Sequence, residues 1–273
     1  MRPFRCLTSM SFVLLCTACA ANPGGDVGSR TIESVTFAGC ASRPAVVFEN
    51  GARETFATWD KVIASIRKDA TVFAYNRPGY GKSSVTDSPR DGRTVVDELR
   101  ATLRRQGLQP PYILVGHSLG GLYMQLFARA YPGEVQGLVL VDSIWPGAVK
   151  KPEDFPLYTR IAKRVFFSRT VNGEIDHIHD TGSQVVALPW TTRIPVERLI
   201  NVPKSRGAIG VDFGVFNSGP RLMAMIDGLY PDAHTLVVDS DHRIQVATPD
   251  AVVAAIRRVM PTAPTPGADG CAG

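Results

Sequence analysis

The stretch Tyr112-Ile-Leu-Val-Gly-His-Ser-Leu-Gly-Gly-Leu-Tyr-Met-Gln-Leu-Phe-Ala constrains this chain more than any other. Tyr112 to Val115 is an apolar, β-prone run that predicts a buried strand, and Leu122 to Tyr131 has helical periodicity. Between them, Gly116-His-Ser-Leu-Gly120 fits G-x-S-x-G, a motif that works only as a sharp turn between a strand and a helix. Gly116 and Gly120 remove side chains where strand and helix would collide. The helix N-terminus then offers free N–H groups to an oxyanion beside Ser118, the candidate nucleophile.

The rest of the chain supplies a sheet to hold that turn. Thr31 to Phe37 alternates as an exposed strand, and Ala45 to Phe48, Thr71 to Tyr75 and Gly137 to Val141 read as further strands. Helices are expected over Phe56 to Ile66, Val95 to Arg105, Arg221 to Leu229 and Ala251 to Val259. Two late strands fall at Pro195 to Ile200 and His234 to Val238. Apolar strands alternating with helices predict a mostly parallel sheet covered on both faces, with ligands beyond the carboxyl ends of its strands. At 273 residues and 44% hydrophobic, the chain is long enough for one such α/β domain. From 143 to 192 the rhythm breaks into prolines, charges, aromatics and short helical pieces. That is too much for a simple connection and predicts a lid whose aromatics wall the site.

Five histidines compete for the role of base. His117 sits inside the turn and is expected to be structural. His177 and His179 fall in the lid, and His234 opens a strand. His242 follows the last strand, ahead of a helix.

The elbow, the segment Asn76-Arg-Pro-Gly-Tyr-Gly-Lys-Ser83 and the late Asp241-His242 together resemble the α/β-hydrolase fold superfamily, over about residues 31 to 260. The likeness is to its branch with a lid inserted after the sixth strand, here the strand ending at Val141. It implies a serine hydrolase, expected to be a carboxylesterase working through an acyl-enzyme, with His242 as base and no cofactor or metal. Lipase, lactonase and amidase activity stay open. An epoxide hydrolase or dehalogenase would normally carry aspartate where Ser118 stands.

Most members place the acid after the strand that is Pro195 to Ile200 here, yet no carboxylate follows it until Asp212. A subset carries it where Asp142 closes the preceding strand, so Asp142 is the expected acid and Asp212 the alternative. By the same likeness, the N–H groups of Ala52 and Leu119 form the oxyanion hole. Asn50, standing where relatives carry histidine, either tunes the pocket or braces the loop. The glycines of the 76–83 segment are expected to shape turns. A non-catalytic binding protein retaining the fold is the rival from another class.

The net charge of +5 is spread without a basic run, so solvated surface rather than nucleic acid accounts for it. Arg2 and Arg5 precede an apolar stretch from Leu7 to Ala18, too short for a membrane anchor and suited to a signal peptide over residues 1–21. Leu15-Cys-Thr-Ala-Cys19 resembles a bacterial lipobox, with Cys16 where Leu, Val or Ile is usual. Cleavage near Ala20 or Ala21 is the other end-point. Export is expected either way, as an envelope lipoprotein held by a lipidated Cys19 or as a periplasmic or secreted protein. Residues 22–30 read as a polar linker and 261–273 as a Pro-rich tail. Cys40 and Cys271 are either a disulfide pair or two unrelated cysteines. The expected partner is a small-molecule ester.

Overall fold

The computed structural model describes residues 26–27, 30–39, 43–201 and 220–261. The leader with Cys19, both Cys40 and Cys271, and Asp212 lie outside the described residues.

Seven strands form the main sheet: β3 (Ser34–Phe37), β4 (Ala45–Glu49), β5 (Val72–Tyr75), β6 (Tyr112–His117), β7 (Val135–Val141), β8 (Val196–Asn201) and β9 (His234–Val238). Their spatial order is β3-β5-β4-β6-β7-β8-β9. β3 runs antiparallel to β5 and every other pairing is parallel. Within the stretch expected to be a linker, β1 (Asp26–Val27) pairs antiparallel with β2 (Arg30–Thr31).

Strand residues alternate between two cores. Val47, Leu114 and Leu140 face one, while Phe48, Val115 and Val141 face the other, as a sheet buried on both faces requires. On the first face pack α2 (Gly92–Arg105), α3 (Leu119–Ala130) and α7 (Pro220–Leu229). On the second pack α1 (Asp60–Ile66) and α9 (Pro249–Val259), behind the short α8 (Ile244–Ala247). Helix α2 starts where the Asp91 side chain accepts from the N–H groups of Arg93 at 3.0 Å and Thr94 at 3.2 Å. Because α1 and α3 leave the adjacent strands β4 and β6 on opposite faces, a crevice opens at the carboxyl ends of those strands.

The expected insertion lies between β7 and β8 and holds α4 (Leu157–Phe166), α5 (Arg169–Asp176) and α6 (Ile178–Ala187). Its aromatics do not form one wall. Trp145 and Trp190 pack against Tyr230 at 6.3 and 4.8 Å between ring centroids, while Tyr158 and Phe166 face solvent. Periodicity reports that a helix has two faces and leaves open which one meets the body.

Candidate active site

The elbow forms where β6 gives way to α3. A Cβ on Gly116 would lie 2.7 Å from the Gly120 carbonyl oxygen, and one on Gly120 would lie 2.4 Å from that of Glu49. Both distances are below any real contact, so the glycines permit the crossing of strand, helix and the loop after β4. Ser118 is held at φ 52°, its N–H donating to the Val141 carbonyl at 3.1 Å. Its own carbonyl accepts from Gly121 and Ile144, both at 3.0 Å.

Among the described residues, three non-glycines have positive φ: Arg53 (65°), Ser118 and Asp142 (40°). Such a conformation costs on the order of 1–2 kcal/mol per residue. All three lie just beyond the carboxyl ends of β4, β6 and β7, neighbours in the sheet.

Asp142 and His242 meet. The Asp142 carboxylate is buried, and its Oδ2 lies 2.6 Å from Nδ1 of His242. Asn201, at the end of β8, donates its side-chain amide to the same oxygen at 2.8 Å. An amide thus stands near where the commoner pattern would put its acid, supporting the carboxylate of the neighbouring strand.

Ala52 lies in the loop after β4, and Leu119 opens α3. Asn50 braces this loop: its Nδ2 donates to the Tyr75 carbonyl at 2.7 Å and its Oδ1 accepts from Trp59 Nε1 at 3.0 Å. Of the two roles expected for Asn50, the contacts favour bracing.

His117 does more than fill the turn. Its Nδ1 lies 2.8 Å from Glu54 Oε2, and its Nε2 donates to the backbone carbonyl of His242 at 2.8 Å. The rings of His117 and His242 are 4.7 Å apart. Glu54 in turn accepts from the Gly51 N–H at 3.2 Å. Burial pushes the Glu54 carboxyl up, but the hydrogen bond and charge of His117 outweigh it and hold the group below its ordinary 4.5. The remaining histidines stay with local partners: His177 on the Gly173 carbonyl, His179 on that of Val149, and His234 on Glu197.

Sequence reasoning missed a buried ionic group behind the crevice. Arg77 pairs with Glu174 of α5 through Nε at 2.8 Å and Nη2 at 3.0 Å, and with Glu49 through Nη1 at 2.6 Å. It also donates to the carbonyls of Asn50 at 2.6 Å and Gly51 at 3.0 Å. Tyr80 gives Glu174 a further bond at 2.6 Å, and Tyr75 bonds Glu49. Burial pushes the Glu49 carboxyl up, with Arg77 pulling the other way. The segment with the turn glycines therefore also carries a guanidinium that fastens the loop of Ala52 to the insertion. The one available signal was an arginine ahead of Pro-Gly; Glu54, Glu174 and Asn201 had none. Among the described residues, no group of three or more His, Cys, Asp or Glu side chains could hold a metal ion.

A family model described as the alpha/beta hydrolase fold matches residues 44–174. Protein YqjL of Bacillus subtilis is 32% identical over 119 residues, which is 40% of this chain and 47% of that protein. The aligned part spans about half the length of the first curated relatives (47% and 53%). Among solved structures, Cfl2 of Burkholderia cenocepacia superimposes with a TM-score of 0.64 at 19% identity, covering 86% of this chain and 93% of its own. A thermophilic esterase of Thermogutta terrifontis gives 0.62 at 18%, with 84% and 92% covered. Similar folds include a deformylase and an epoxide hydrolase, so the likeness fixes architecture rather than reaction. Strand order and these likenesses show that the chain has the α/β-hydrolase fold.

Proposed function

We propose that this chain is a serine hydrolase that cleaves carboxylic esters through an acyl-enzyme. The observation that carries the reading is the 2.6 Å contact between buried Asp142 and His242 Nδ1, at the sheet edge that also presents Ser118 on its elbow. With Nδ1 facing the carboxylate, Nε2 of His242 is the proposed base. In this reading Ser118 Oγ attacks the ester carbonyl carbon as Nε2 takes its proton. The N–H groups of Leu119 and Ala52 receive the oxyanion. The imidazolium protonates the departing alkoxide, and water then releases the acid from Ser118 by the same steps.

A fluorophosphonate probe should label the purified protein, and Ser118→Ala should abolish labelling while leaving the circular-dichroism spectrum unchanged. Ester turnover should fall at least about 10³-fold. Undiminished turnover in that variant would sink the mechanism. A panel of esters of increasing acyl length would then report the substrate class.

We also propose that the chain is exported, supported by Arg2, Arg5 and the apolar run from Leu7 to Ala18, with Cys19 as the lipidated residue.

A further inference from the structure

Helix α4 is amphipathic in the inverted sense. Leu157, Tyr158, Ile161, Val165 and Phe166 are each more than half exposed. At 3.6 residues per turn the first four fall within about 100° of arc. The other large apolar residues exposed to this degree, among the described residues, are Val85, Val186 and Val237, scattered one to a segment. The one buried residue of α4 is a cation. Lys163 is buried and paired with Asp176 of α5. The Asn172 side-chain amide donates to the carbonyls of Lys163 at 3.1 Å and Phe167 at 2.9 Å, closing the end of α4 onto α5. A helix lying on a water-soluble body puts its stripe inward; here polar bonds hold it and the stripe looks out.

Charge says what the stripe fits. Between Lys150 and Arg169 the chain has six cationic side chains against two carboxylates. Arg160 and Arg164, both exposed, flank the stripe on one side and line a cavity of about 590 Å³ between α4 and α5, together with Lys163, Arg169, Glu153 and Asp176. We propose that α4 docks onto an anionic lipid surface, with its apolar arc at the acyl boundary and its arginines among the headgroup phosphates. A second copy of this chain would bring a like-charged flank against its own. The proposal does not rest on the catalytic reading, because none of these residues belongs to the elbow or its partners.

The test is co-sedimentation of the full chain with vesicles of phosphatidylcholine alone or mixed with phosphatidylglycerol. Every protein in the series carries Cys19→Ala, so a lipid on that cysteine cannot account for differences. The parent should bind mixed vesicles, and high salt should weaken this. A triple variant (Leu157→Ser, Ile161→Ser, Val165→Ser) should bind at least about tenfold less. Arg160→Gln with Arg164→Gln should remove the preference for mixed vesicles. Unchanged melting profiles establish that both variants are folded; for a variant that failed this check, single substitutions at Ile161 and Arg164 would take its place. Binding by the triple variant equal to the parent, or no binding by the parent, would overturn the proposal. So would a parent dimer that the triple variant converts to monomer, which would assign the face to a second copy.

Discussion

At the end of β7, Asp142 faces the side chain of His242 and takes the Asn201 amide, while its backbone φ is positive. A carboxylate so placed fixes the tautomer of the histidine and stabilises the imidazolium formed during attack. Asp142→Asn should therefore lower kcat by at least about 10²-fold with little change in melting, because it keeps shape and removes charge. Asp212→Asn, assayed beside it, should stay within a few-fold; the reverse result would move the acid to the later loop. Glu54 offers a pH test. Its folded-state value lies below 4.5, so the stability it contributes is present above about pH 4.5 and is lost as pH falls through the folded value. Urea titrations should show Glu54→Gln less stable than the parent at about pH 7, with the gap narrowing as pH falls below about 4.5. A gap constant with pH would mean that the charge of Glu54 contributes nothing.

Elements meet at Arg77. The guanidinium holds the two carbonyls that precede Ala52, the end of β4 through Glu49, and α5 through Glu174. Helix α5 is thus tied to the loop whose N–H is the proposed oxyanion donor. Arg77, Glu49 and Glu174 are all buried. Removing one partner from such a pair leaves desolvated charge and costs about 3–5 kcal/mol. Glu174→Ala should accordingly destabilise the protein by about 3 kcal/mol in urea unfolding, and Glu174→Gln, which retains hydrogen-bonding atoms, by less. A loss below about 1 kcal/mol for the alanine would show the tie to be dispensable.

For the whole molecule, residence turns on Cys19. If Cys19 is lipidated, Cys19→Ala should shift the protein from the membrane fraction to the soluble fraction, apart from any contribution of α4, and globomycin should accumulate a lipid-bearing precursor. Intact mass showing an unmodified N-terminus near Asn22 would establish ordinary cleavage. Among the described residues no helix is long and apolar enough to cross a membrane.

Much of this architecture was legible in one dimension because its causes are local. Strand runs such as Gly137 to Val141 are apolar throughout because both faces of the sheet are covered. The elbow reads from five residues because glycine alone fits where Gly116 and Gly120 nearly touch backbone. Ser118 could be nominated from its motif, and Asp142 and His242 because each stands at a strand end where the resemblance puts a functional group. What the sequence left open were relations between distant segments. The pairings Arg77–Glu174, His117–Glu54 and Asn201–Asp142 join residues 97, 63 and 59 positions apart. A hydrogen bond depends on where two backbones bring their side chains, and no local pattern encodes that. The outward stripe of α4 belongs to the same class: period 3.6 defines a face, and only packing against α5 decides which way it looks.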